Sequence, residues 1–396
     1  MRVFIISPVN CATGGPELLH QFARCLIDCG VEAYMLYPDS DGVSCPVPEV
    51  YWKYDVPYVS QYVDRKDSVL VLAESRIHHI GLCQKGTVMV WWLSVNNYIL
   101  RYEKHITREN LDIFNLKART NVLHFVQSYY AKDFLEKHMG IAGTYYLKDY
   151  INDEIIGFAS LCRERYQRKN ICLFNPKKGY EKLEPVLKAC REDIQWVPLT
   201  GYTPLEMANI MCQAKVYVDF GSHPGKDRIP REAAVCGCCI LTNQEGSAAY
   251  QEDVGIPESY KVRTTEDVEL VLAKIYDLVD HYEERIGDYK NYRCTIEGEK
   301  AEFMEEVQAA MAVLQERIGE GGKGDISLDD VVDHEKILDS LDSAVSQIRQ
   351  LISEAKTALP AGGGVSSKLL SVDYVLQIVR ESVYIELSAL SDMETL

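Results

Sequence analysis

Two copies of one local pattern govern what this chain can fold into: a short β-rich run, a polar loop holding glycine, then apolar residues at helical spacing. "RVFIIS" passes through "PVNCATGG" into a segment where Leu18, Leu19, Phe22, Leu26 and Ile27 recur three and four apart, and "NICLFNP" passes through "KKG" into "YEKLEPVLKACR". Strands that are apolar at successive positions need cover on both faces, and helices alternating with them supply it. "EAYMLYP", "SVLVLAES", "GTVMVWWLS" and "NVLHFVQS" continue the first series, and "YYAKDFLEKHMG" reads as a helix closed by Gly140. "IQWVPLTG" and "KVYVDFG" continue the second, separated by "TPLEMANIMCQA", a helix with Thr203 as N-cap and Pro204 in its first position. The pattern predicts an α/β chain with two parallel-sheet domains, over residues 1–150 and 151–295. A helical segment over 296–319 is expected to pack on the core. "GEGGKGD" then reads as a linker to an acidic helical appendage over 320–396, whose amphipathic helices suit packing on the core, dimerisation or a protein partner.

Charge narrows the function classes. Against 42 basic residues stand 59 acidic ones, giving −17, with no basic patch to override it, so nucleic acid is not an expected partner. "MRVFIISPVN" is too short for the apolar region and cleavage site of a signal peptide, and no run reaches bilayer length. A cytoplasmic location is expected, with peripheral contact at the inner face of the membrane left open. The thirteen cysteines, odd in number and irregular in spacing, read as reduced thiols. "CGCC" at 236–239 lacks a companion pair and reads as packing, so no metal site is expected.

Three loops carry chemistry. Gly14 and Gly15 open a helix whose free amides suit an anion or hydroxyl-rich group, although such a turn also serves geometry alone. Asn175, Lys177 and Lys178 precede Gly179 at a second helix start, where ammonium groups beside free amides suit a diphosphate; a solvated turn is the plainer alternative. "GSHPGKDRIPREAAVCGCCILTN" sets Asp227, Arg228, Arg231 and Glu232 around Pro230 at a third. There a carboxylate can accept from ribose hydroxyls and guanidinium forks match phosphate, whereas mutually paired surface charges would need no such glycine turn. His78 and His79, after the third strand, are candidates to orient the acceptor or the sugar, with Glu74 beside them, and Trp91 or Trp92 is a stacking candidate; surface and core placements are the plainer readings.

Together these segments resemble the retaining GT-B glycosyltransferases of the family-4 type. "REAAVCGCCILT" is similar to that family's "E-A-M-A-C-G-x-P-V-V" segment, "NPKKGYEKL" to its lysine-glycine element, and "NCATGGPELLHQFARCLIDCG" to its amino-terminal glycine loop; "VQSYYAKDFL" and "LTGYTPLEMANIMCQAKVYVDFGS" match more weakly. The resemblance covers about residues 1–300 and implies two Rossmann-like domains facing a cleft. It implies a nucleotide-diphosphate sugar as donor substrate, with no permanent cofactor. Lys178 would hold the diphosphate, Glu232 the ribose, Gly201 and Tyr202 the base. Gly14, Gly15, Gly246 and Ser247 would approach the diphosphate and sugar. Pro224 stands where the family has the first of two glutamates eight apart, and Asn175 and Lys177 where an arginine is usual. Asp227 is the expected substitute for the carboxylate, and Arg228 or Arg231 for the arginine. Lys178, Arg228, Asp227 and His79 are thus the candidate catalytic residues.

The function so implied is retaining, metal-independent transfer of a sugar to a hydroxyl of a glycan, lipid-linked glycan or protein, in polysaccharide or glycoconjugate synthesis. A GT-B-like scaffold subunit without catalysis is the alternative, and a sugar-nucleotide epimerase a third reading.

Overall fold

The computed structural model describes residues 1–40 and 43–321. All but the first two residues of the appendage expected over 320–396, with the partner surface assigned to it, lie outside the described residues.

The first series of apolar runs forms a parallel sheet of seven strands, β1 (Arg2–Ile6), β2 (Glu32–Leu36), β3 (Tyr58–Val59), β4 (Ser68–Ala73), β5 (Thr87–Trp92), β6 (Val122–Val126) and β7 (Tyr145–Tyr146), in the order β3-β2-β1-β4-β5-β6-β7. Every residue of β4, β5 and β6 is buried, as strands covered on both faces require. The pleat divides them by alternation. Val3, Ile5, Val71 and Trp91 pack against Leu18, Phe22 and Leu26 of α1 (Gly14–Asp28). Phe4, Ile6, Leu70, Leu72 and Trp92 face Val95 and Tyr98 of α2 (Val95–Tyr102) and Ala131 and Phe134 of α3 (Tyr129–Phe134). Gly140, at φ 65°, ends the helical turn that continues α3. The two-residue edge strand β3 was not expected from the sequence: only Leu36 and Met35 pair with it, so it carries almost no periodicity.

After α4 (Asp153–Cys162) the second series forms a five-stranded parallel sheet of β8 (Lys169–Phe174), β9 (Gln195–Pro198), β10 (Ala214–Asp219), β11 (Cys239–Asn243) and β12 (Lys261–Val262), in the order β12-β11-β10-β8-β9. Around it lie α5 (Tyr180–Ala189), α6 (Pro204–Met211), α7 (Arg228–Val235), α8 (Val268–Asp280) and α9 (Tyr282–Arg285). Thr203 and Glu206 cap α6 reciprocally. Cys236, Cys238 and Cys239 are wholly buried in this core. Strand order reverses between β1 and β4 in one sheet and between β10 and β8 in the other, and at such a reversal the crevice beyond the strand ends is open to a ligand.

A long helix, α10 (Lys290–Gly321), ties the sheets together. Tyr292 and Ile296 complete the second core; Phe303, Val307, Ala310 and Leu314 complete the first. Where it crosses, Arg231 of α7 is 1% exposed and places Nη2 at 2.7 and 2.8 Å from the Asp149 carboxylate and Nη1 at 2.6 Å from Glu299 of α10. Lys226 adds its ammonium to Glu299 at 2.9 Å. Across the same junction Asp253 accepts the Tyr129 and Tyr130 N–H groups at 2.7 and 2.9 Å, capping α3 from the other half.

Removing one member of a buried ion network leaves the others uncompensated. Arg231→Met is therefore expected to destabilise the protein by about 3–5 kcal/mol, read as a lowered urea midpoint.

Candidate functional site

Between the two reversal points lies a cavity of about 450 Å³. Thr13, Gly14, Gly15, Leu93 and Ser94 line it from the first sheet, and Asn175, Lys178, Asp219 and the 224–230 segment from the second. Each wall is a loop at the carboxyl end of a strand, the position open to a ligand in parallel sheets.

The glycines at this junction are needed for close approach. A Cβ on Gly225 would lie 2.1 Å from the Leu93 carbonyl oxygen, and one on Gly179, which has φ 66°, would lie 2.3 Å from that of Phe220. The loop before α7 is also fixed from behind: Val95 N–H donates to the Pro224 carbonyl at 3.0 Å, Ser247 N–H to that of His223 at 2.9 Å, and Ser247 Oγ to that of Gly225 at 2.6 Å.

Besides Lys226, already paired with Glu299, two cations line the cavity, each held by a carboxylate. Lys178 Nζ lies 2.9 Å from Asp227 Oδ1. Arg228 reaches across to the first sheet's α1, its Nη1 2.8 Å from Glu17 Oε2, and Tyr54 also donates to Glu17 at 2.8 Å. Burial alone would raise the Glu17 carboxyl, but Arg228 and Tyr54 hold it below the usual carboxylate range. Gly14 faces this pair, for a Cβ there would sit 3.5 Å from Arg228 Nε.

Behind Asp227 lies a residue that sequence reasoning did not single out. His223 is wholly buried, in the left-handed region at φ 42°, with Nδ1 3.3 Å from Asp227 Oδ2 and Nε2 3.7 Å from Asp219 Oδ1. Asp219, the last residue of β10, also accepts from Tyr217 Oη at 2.7 Å and Gly221 N–H at 2.9 Å. Burial disfavours the charged imidazole, yet contact with Asp227 and Asp219 outweighs it and raises the histidine above its ordinary value. Burial likewise opposes the Asp227 charge, and His223 and Lys178 reverse the balance, holding that carboxyl low. The ligand atoms of Asp219, His223 and Asp227 lie within 4.8 Å of one another, a donor set a divalent cation could use. The geometry fits charge pairing better: the two ring nitrogens face different carboxylates, and an ammonium already occupies Asp227.

Of the residues expected at the site, Gly14, Gly15, Asn175, Lys178, Asp227 and Arg228 share this cavity. Lys177 is exposed, its N–H held by Asn175 Oδ1 at 3.0 Å. Gly201, at φ 78°, and the 41%-exposed Tyr202 sit on the loop before α6, outside the cavity lining. Glu232 is one turn beyond Arg228 and 5% exposed, and its carboxylate makes no hydrogen bond among the described residues; burial raises it above the usual range despite Arg228 and Arg231. Two expectations are corrected. Arg231 turns inward to Asp149 and Glu299, with no face left for phosphate. Gly246 and Ser247 buttress the loop instead of facing the cavity, a Cβ on Gly246 falling 2.1 Å from the His223 carbonyl oxygen. His79, the remaining candidate, lies in the first half beside Asp39 and is not among the residues lining this cavity.

The architecture has counterparts among solved structures. Sucrose-phosphate synthase from Thermosynechococcus elongatus aligns over 81% of this chain and 98% of its own at 12% identity and TM-score 0.51. The lipopolysaccharide outer core galactosyltransferase WaaB in its apo form aligns over 79% and 99% at 9% identity and TM-score 0.54. This chain has the GT-B fold. An alpha,alpha-trehalose 6-phosphate synthase from Burkholderia multivorans is a third GT-B likeness, over 81% and 100% at 8% identity and TM-score 0.51. No protein-family profile and no curated protein sequence matches the chain.

A histidine raised on folding stabilises fully below its unfolded pKa, and that contribution is lost as pH rises through the folded one. His223→Gln should therefore lose the component of thermal stability that the parent loses from near-neutral to alkaline pH. Equal alkaline slopes in parent and variant would show that His223 is not the titrating group.

Proposed function

We propose that this GT-B chain transfers a sugar from a nucleotide-diphosphate donor to an acceptor hydroxyl, with retention and without metal, in polysaccharide or glycoconjugate synthesis. The observation that carries the reading is the convergence of Lys178 and Arg228 on one cavity, opposite the glycine loop of the other sheet. The names of the GT-B proteins it resembles, a galactosyltransferase and two sugar-phosphate synthases, support it through the shared fold.

In this reaction the bond from the anomeric carbon to the diphosphate breaks, a bond to the acceptor oxygen forms, and the hydroxyl proton leaves with the diphosphate. Stabilising the departing negative charge is the main demand. Lys178 and Arg228 supply positive charge, and Gly14 and Gly15, at the positive end of the α1 dipole, line the same space. Asp227, kept ionised by His223 and Lys178, is suited to sugar hydroxyls and to orienting Lys178. The unpartnered Glu232 carboxylate is assigned to the ribose, and Gly201 and Tyr202 to the base side. Retention rests on the family resemblance.

A scaffold role without catalysis is favoured by one feature, Pro224 in the cavity wall where the family's carboxylate would stand. Turnover of a donor by the purified chain separates the two.

Charge-assisted hydrogen bonds are worth about 1.5–3 kcal/mol, so Lys178→Ala should weaken a nucleoside diphosphate by roughly ten- to a hundredfold in calorimetry. Glu232→Ala should weaken the nucleoside diphosphate but leave pyrophosphate unchanged. If no nucleotide binds the folded parent, the reading fails.

A further inference from the structure

A second cavity, of about 490 Å³, adjoins the first and shares Thr13, Gly15, Leu93 and Asn97 with it. It belongs wholly to the first sheet. Glu74 is buried in its wall, Arg76 is half-buried there, and Arg101 is exposed.

In a chain of net charge −17 this corner is out of character. Arg76 and Arg101 line the cavity, and His78 and His79 stand close enough that both arginines depress their basicity. Burial is the larger cause and, with its neighbours' charge, takes His78 down to about 4. The carboxylates facing this group are few. Asp39, itself 60% exposed, lies 3.5 Å from Arg76 and 3.8 Å from His79. Glu74 accepts the Leu93 N–H at 2.9 Å, and burial pushes its carboxyl up to about 7. The Arg101 guanidinium makes no hydrogen bond or ion pair among the described residues, and the buried His79 Nε2 has no hydrogen-bond partner. Like charges held together beside a cavity, with a guanidinium left unpaired, are stabilised by an anion that both forks can grip.

We propose that this second cavity binds the acceptor, and that the acceptor carries an anionic group, phosphate or carboxylate, held by Arg76 and Arg101. The proposal rests on the glycosyl-transfer reading for the word acceptor. The shared residues of the glycine loop and Asn97 put such a molecule next to the space assigned to the donor sugar.

The test is calorimetric titration of the full chain, without donor and at low ionic strength, with glucose 6-phosphate, glucuronate and glucose. At least one charged sugar is expected to bind tenfold or more tightly than glucose. Arg101→Ala and Arg76→Ala should each remove most of that preference, while affinity for a nucleoside diphosphate stays within twofold. Vesicles of phosphatidylglycerol in phosphatidylcholine form a separate arm: binding there that needs both arginines supports the same recognition with the charge on a lipid. Equal response to charged and neutral sugars and to neutral vesicles, or a preference the arginine variants retain, overturns the proposal. Nucleotide binding distinguishes the failures: if it persists, only the anionic acceptor is lost, and if it is absent from the parent, the glycosyl-transfer reading is lost.

Discussion

Arg231 carries a buried positive charge that three separate segments must answer together. A guanidinium at 1% exposure is tolerable only if its donors are used, and here they go to Asp149 between the sheets, to Glu299 on α10, and to the Lys226 and Asp227 carbonyls of its own approach loop. None of these contacts can move alone. Because Lys226, Asp227 and Arg228 follow one another along that loop, the ion network that joins the halves also sets the shape of the cavity wall. Stability and site geometry therefore depend on the same side chain.

The cavity itself is electrostatically prepared rather than empty of charge. Lys178 and Arg228 have counter-ions from different parts of the protein, Asp227 beside the one and Glu17 across the cleft from the other. An anion entering this cavity would compete with Glu17 for Arg228, and so would bear on a contact between the sheets as well as on its own affinity. Asp227 is stiffened in turn by His223, whose unusual backbone conformation is held by Ser247 and the close approach of Gly246.

Much of the fold was legible because it is local. Apolar runs of strand length, helical periodicity, the Thr203 cap and the Gly140 stop each depend on a few adjacent residues, and the parallel sheets follow from their alternation. The site was legible to the extent that its loops sit at strand ends. What the sequence left hidden was long-range. Arg228 and Arg231 are three positions apart with identical side chains, and only the partners, Glu17 for one and Asp149 and Glu299 for the other, separate a cavity cation from an internal one; those partners lie 211, 82 and 68 positions away. Asp219 carried a readable signal, since it ends β10 beside the reversal of strand order. His223 carried none, because its role comes from a backbone turn that brings it between two aspartates.

The path of α10 governs the order in which this protein can be assembled. The first sheet is built from residues up to Tyr146, yet one face of its core is closed by Phe303, Val307, Ala310 and Leu314. During synthesis the ribosome must therefore deliver the whole second sheet before that face is sealed. Until then the amino-terminal half holds an apolar surface whose cover has not been made, an exposure of the kind that chaperones attend to.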